Sequence, residues 1–256
     1  MWGKADTHIH TTFSDGVASP AELVDFVVEK TDLQVIAVTD HDSAQGGLAA
    51  REYAQRRGYR LDVIVGQEVT TGEGDIVGLF LRSTLPTYAT AREAVDAIHA
   101  QGGLAVAVHP FSFWATGTLM KGVARQIRTL PLDGVEVRNG FPTNFISNPL
   151  TGWHNRQGQQ LSQLGGSDSH VPYTVGQACT LFPGRTAADL RIAIETRTTR
   201  AAGPLWLPTN IMRLVPMLLR RGLPSREQEP AYVQEPVFVH PSVHRPATHP
   251  AGDNRS

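Results

Sequence analysis

From Lys4 to about Thr196, short apolar runs alternate with stretches of helical period, and this alternation is what most constrains the fold. A strand followed repeatedly by an amphipathic helix is the pattern of βα units wound around a largely parallel sheet. Lys4 to His10 reads as the first strand. Ser19-Pro20-Ala21-Glu22 then supplies an N-cap, a proline at the first helical position and a capping-box glutamate, which opens a helix to about Lys30. Further strands are expected at Gln34 to Thr39, Leu61 to Val65, Ile76 to Leu81, Leu104 to Val108 and Gly134 to Val137. Further helices are expected at Ser43 to Arg57, Thr90 to Gln101, Thr151 to Leu164 and Thr186 to Thr196. No internal repeat of fixed period interrupts the series.

The 256 residues suit a barrel-sized domain, expected over 1–203. A short amphipathic extension is expected over 204–222, because Ile211, Leu214, Val215, Leu218 and Leu219 share one helical face. Residues 223–256 hold six of the 17 prolines and little apolar periodicity, so a disordered tail is expected there. With 23 basic against 24 acidic residues, bulk charge gives no pull toward nucleic acid, and no basic, aromatic-rich strip argues for one, so a long nucleic acid is not expected as a partner. The single cysteine, Cys179, rules out an internal disulfide. Asp6 and His8 arrive before any apolar run that could serve as a signal peptide, and no run reaches the roughly 20 residues that span a bilayer. A cytoplasmic location is expected.

Histidine is the informative residue. Asp6, His8 and His10 alternate along the first strand, and a period of two would point all three to one face. Asp40, His41 and Asp42 follow the second strand, and Glu68 follows the third. His109 follows the strand at Leu104 to Val108, and Asp168 with His170 follows Gly165-Gly166. In a parallel barrel the C-terminal strand ends converge on one rim, so groups far apart in sequence meet there. Imidazole and carboxylate together suit zinc, iron or manganese, and buried acids clustered this way need a cationic partner. His99 lies inside a helical stretch, and His154 opens one near the strand-end rim, where a solvated histidine is expected over a substrate contact; His240, His244 and His249 lie in the tail, and none is expected to act in catalysis.

Six ordered motifs carry a family resemblance: Asp6-Thr7-His8-Ile9-His10, Phe13-Ser14-Asp15-Gly16, Thr39-Asp40-His41-Asp42, Gly66-Gln67-Glu68, His109-Pro110 and Gly166-Ser167-Asp168-Ser169-His170. Over about residues 3 to 200 the chain resembles the polymerase and histidinol phosphatase (PHP) family. The resemblance implies an α/β fold, a distorted (β/α)7 barrel, holding two or three divalent ions (Mn2+, Zn2+ or Fe2+). It implies that His8, His10, Glu68 and Asp168 hold one ion and that Glu68 with His109 holds a second. Asp15, His41 and His170 would hold a third, Asp15 standing where other members have histidine. Asp75 occupies a place where several relatives carry a metal-binding histidine, which would weaken the second site or favour a harder ion. Asp6 and Asp40 are expected behind the ligands, accepting N–H bonds that orient imidazoles.

The activity expected is hydrolysis of a phosphoester by a water that bound cations acidify, with Arg138 as a phosphate clamp beside Asp6 and Asp40 as catalytic supports. The expected substrate is nucleotide-like, a short oligonucleotide or a small organic phosphate. Competing readings are a module related to polymerase-associated domains, disfavoured because no polymerase domain is present, and a non-catalytic metal-binding or interaction protein. In the last case the 211–219 helix would dock to a partner or a membrane surface, although packing over the barrel bottom is the reading expected for its apolar stripe.

Overall fold

A computed structural model describes residues 1–112, 121–141, 144 and 146–203. The expected extension at 204–222 and tail at 223–256 lie outside the described residues. Among the described residues the architecture is mixed α/β, a nearly closed barrel-shaped sheet of nine strands with five α-helices. In chain order these are β1 (Trp2–Ile9), α1 (Pro20–Lys30), β2 (Val35–Val38), α2 (Gln45–Arg56), β3 (Asp62–Val69), β4 (Ile76–Leu79), α3 (Ala91–Ala100) and β5 (Leu104–Ala107). Then follow β6 (Gly134–Asn139), α4 (Ser147–Gln157), β7 (Ser162–Gly166), β8 (Cys179–Pro183), α5 (Ala187–Glu195) and β9 (Arg200–Ala202).

Strand order is β7-β6-β5-β4-β3-β2-β1-β8-β9. Strands β1, β2 and β3 run parallel, as do β5, β6 and β7, while β4 is antiparallel to both of its neighbours. The first half of β1 pairs with β8, whereas its second half meets the chain leaving β7. There the Asp168 amide donates to the His8 carbonyl and the His10 amide to the Ser169 carbonyl, each at 2.9 Å, which brings the seven strands β1 to β7 nearly to closure.

Capping boxes at Ser19, Thr90 and Thr186 start α1, α3 and α5, each joining the cap hydroxyl to the amide three residues on. The expected helix from Thr151 to Leu164 is instead α4, beginning at Ser147 and ending at Gln157, followed by β7 from Ser162. Gly158 and the left-handed Gln160 break the helical period between them, and Asn155 ties the turn by accepting from the Leu161 amide and donating to its carbonyl. Strands β8 and β9, joined through α5, form an antiparallel pair that the sequence reading did not expect.

Inside the barrel Ala5, Val35, Ala37, Ile64, Val77, Leu104, Val106 and Leu164 pack with Leu190, Ala193 and Ile194 of α5. This apolar layer forms the floor of a polar cleft at the C-terminal strand ends. Helices α1 and α2 cover one outer flank through Leu23, Val24, Val27, Ala50 and Ala54, and α3 covers another through Ala94, Val95 and Ile98.

Candidate metal centre

Two β-bulges select which side chains enter the cleft. Asp6 pairs with Ile36 and Ile9 with Val38, so β1 advances three residues while β2 advances two. Ile36, Val38 and Ile9 all pack in the outer layer, and Asp6 shares their side, whereas His8 and His10 face inward. Strict alternation would have put Asp6 with the two histidines; the extra residue removes it. A second bulge lies between Glu136 and Arg138 on β6. It brings Asn139 into contact with Glu136 and with Asp168, while Arg138 stays half-buried and forms no ion pair among the described residues.

On β3, Ile64 packs in the inner layer, and alternation carries that face to Glu68. The Oε1 atom of Glu68 lies 3.0 Å from His109 Nε2, while Oε2 lies 3.1 Å from His8 Nε2, 3.3 Å from His10 Nε2 and 3.5 Å from His41 Nδ1. His109 and Asp168 reach the cleft through left-handed backbone, φ 31° and 53°, a costly conformation for residues with a Cβ that is concentrated at functional sites. Asp168 Oδ1 then sits 3.3 Å from His10 Nε2 and 3.6 Å from His8 Nε2. Toward solvent, Asp15 Oδ1 stands 3.1 Å from His170 Nε2, 3.7 Å from His10 Nδ1 and 4.0 Å from His41 Nε2.

Three overlapping donor sets result: His8, Glu68 and His109; His8, His10 and Asp168; and His10, Asp15, His41 and His170. Within each, the possible ligand atoms lie within 4.8 Å of one another. The first two sets are buried, and the third opens to water through Asp15 and His41. Asp75, just before the reversed β4, is buried beside Glu68 but joins none of the three sets. Its place at the rim follows from the reversal, which brings the N-terminal end of β4 to the level of the other strands' C-terminal ends.

Electrostatics fits a cationic occupant. Glu68, Asp168, Glu136, Asp6 and Asp40 are all buried, yet among the described residues no lysine or arginine forms an ion pair with any of them. Buried carboxylates without cationic partners are costly. Among the described residues the opposing charge comes from imidazolium, chiefly His8 and His109. Burial opposes charge on His8, but Asp168, Glu68 and Glu136 outweigh it and hold its pKa well above the ordinary value. For His109 burial is likewise outweighed, by its bond to Glu68, and the pKa rises to about 9. Burial and the neighbouring His170 instead push His10 down to about 4, and its Nε2, buried between two carboxylates, makes no hydrogen bond. A neutral imidazole aimed at two carboxylate oxygens is a ligand set that suits a divalent ion.

The supporting residues differ from expectation. Asp6 accepts from the Ser167, Gly176 and His8 amides and touches no imidazole; burial, only partly offset by these bonds, raises its pKa to about 6. Asp40 accepts from the Thr11 amide and hydroxyl and from Ser14 Oγ, at 2.6 to 2.7 Å, and reaches His10 only through Ser14, whose Oγ is 3.5 Å from Nδ1. The acid that holds an imidazole is Glu136, at 3.2 Å from His8 Nδ1, which the sequence reading missed. Its signal was present, because a glutamate interrupts the apolar run of β6 at the inward register. Asn139 was missed as well: its Nδ2 donates to Glu136 and Asp168 at 2.8 and 3.1 Å.

Comparison with known proteins places the chain among similar molecules. The family model described as PHP domain matches residues 6–107, and the one described as PHP-associated matches residues 156–199. An uncharacterized protein of Methanocaldococcus jannaschii is 36% identical over 158 residues, which is 57% of this chain and 88% of that one. The 5'-3' exoribonuclease Rnm of Escherichia coli is 41% identical over 85 residues, 32% of this chain and 29% of the exoribonuclease. Among solved structures, a two-domain protein from Bacteroides vulgatus containing a predicted PHP-like metal-dependent phosphoesterase superposes with a TM-score of 0.65 at 22% identity. That match covers 86% of this chain and 70% of the other.

Proposed function

The chain belongs to the PHP domain family, and on that premise we propose that it is a hydrolase of phosphoester bonds. Divalent ions would be held by His8, His10, Asp15, His41, Glu68, His109, Asp168 and His170. One observation carries the reading: the two oxygens of Glu68 face different donor groups, Oε1 toward His109 and Oε2 toward His8, His10 and His41. A carboxylate so placed suits neighbouring ions that share it. When bound, such ions supply Lewis-acid polarisation of a phosphoryl oxygen and acidification of a water.

The chain's own residues do the positioning. Glu136 accepts at His8 Nδ1, so that once His8 gives up its other proton on ligation Nε2 is the nitrogen left to hold an ion beside Glu68 and Asp168. Asn139 donates to the outer oxygen of Asp168 and leaves Oδ1 directed at the histidines. The side chains of Asp15 and His41 are 29% and 27% exposed, so substrate enters over the third donor set. The substrate class proposed is a nucleotide or the end of a short oligonucleotide, supported by the exoribonucleases among the relatives.

The experiment is turnover by metal-stripped protein reloaded separately with Mn2+, Zn2+ or Fe2+, on an aryl phosphate monoester, an aryl diester, mononucleotides and short oligonucleotides. Metal-dependent release of phosphate or nucleotide is expected and should disappear in Glu68→Ala. Absence of turnover across all metals and substrates, with stoichiometric ion binding retained, would overturn catalysis and favour a metal-binding role.

A further inference from the structure

On the barrel flank below the cleft, two segments separated in sequence build a basic and aromatic face. A 3-10 helix, Ala124–Arg128, repeats every three residues, so Arg125 and Arg128 stand on the same side, and both are exposed. Trp153 and Arg156 are one turn apart on α4, and Trp153 is 49% exposed. The Arg128 guanidinium carbon lies 6.0 Å from the centroid of the Trp153 ring and joins the two surfaces. None of the three arginines forms an ion pair among the described residues.

The same face is tied to the cleft. His154 is buried, stacks on Phe111 at 4.6 Å between ring centroids and touches Trp153 edge-on at 4.7 Å. Its Nδ1 has no hydrogen-bond partner, and burial, then Arg128 and Arg125, lower its pKa, so positive potential converges there on a neutral ring. Phe111 follows His109 by two residues, and its amide donates to Ser147 Oγ at the start of α4. Asn148 accepts from the Asn139 amide beside the donor sets, and Trp153 stands five residues further along α4, about 7.5 Å down the flank from the rim.

We propose that Arg125, Arg128, Trp153 and Arg156 bind single-stranded nucleic acid outside the cleft and hold the strand whose phosphoester is cut within it. This inference rests on the phosphoester reading of the cleft. Unpaired guanidinium groups match a phosphate backbone, and an exposed indole with an arginine over it offers a base a stacking surface. An acidic peptide would engage the arginines but leave the indole unused.

The test is fluorescence anisotropy of a labelled single-stranded RNA with the full chain in chelator, where no hydrolysis competes, together with turnover of an aryl phosphodiester by the metal-loaded protein. Trp153→Ala should weaken binding at least about fivefold and Trp153→Phe should restore most of it. Arg125→Ala with Arg128→Ala should weaken binding and flatten its salt dependence by about 0.7 per arginine removed. All these variants should turn over the aryl diester as the parent does. RNA binding that is absent in the parent, equal in all variants, or matched by a polyglutamate peptide would overturn the inference. Failure of the parent to turn over any substrate of the panel above with any of the metals, with variant-sensitive RNA binding retained, would instead sink the catalytic reading and leave the binding face supported.

Discussion

Glu136 holds Nδ1 of His8 at 3.2 Å while Nε2 of the same ring faces Glu68 at 3.1 Å, so one imidazole links a supporting acid to the carboxylate that also faces His109, His10 and His41. Removing the support should therefore act on ion affinity before it acts on fold. Glu136→Gln is expected to lower the affinity for Mn2+ by about 10- to 100-fold, with the circular dichroism spectrum unchanged. Isothermal titration of the stripped protein measures this, and parental affinity in the variant would refute the role given to Glu136.

Asn139 donates to Glu136 and to Asp168, so a carboxylate in its place would face two others with no proton to share. Asn139→Asp should destabilise the metal-free protein, and added divalent ion should recover much of the loss by neutralising the extra charge. Melting temperatures with chelator and with Mn2+ give the comparison. Equal melting of variant and parent in chelator would contradict it.

Gly46 approaches the support network more closely than any side chain could. A Cβ there would lie 1.9 Å from Asp40 Oδ2 and 2.7 Å from Thr11 Oγ1. Gly46→Ala should cost about 1–3 kcal/mol through displacement of these groups, despite the better helix propensity of alanine. Chemical denaturation measures the change. A stabilised variant would show that Asp40 yields freely.

The stability of the metal-free protein should depend on pH in a direction set by the cleft. His8 has a raised pKa and His109 one of about 9, so their contributions are complete below the ordinary value of 6.5 and are lost as pH rises through about 9. Asp6, raised to about 6, and Asp75, raised to about 7, change stability in the same sense: what they contribute is complete below 3.8 and lost as they ionise. Glu68 and Asp168 are held below their ordinary values of 4.5 and 3.8, by His41 and His8 respectively overcoming burial, so their contribution is present above those values and lost on acidification. Thermal melts in chelator should decline from pH 6.5 to 9, and a flat or rising profile would refute this assignment. Over the same range the affinity for a divalent ion should rise, since ligation requires His8 and His109 to lose their protons.

Local chemistry made much of this protein legible in its sequence. The capping boxes at Ser19, Thr90 and Thr186 mark helix starts because the cap and its third residue satisfy one another within one turn. His8, Glu68 and His109 were legible because each ends or follows an apolar strand, and strand ends in such a barrel share a rim. Tertiary structure alone decided which face Asp6 and Asn139 adopt, since a bulge depends on register against a neighbouring strand and leaves no local mark. The same holds for the arginines beside Trp153, which come from segments that meet only after folding. Sequence determines what each residue can donate, accept or ligate; pairing between distant strands determines which of those capacities converge on one point.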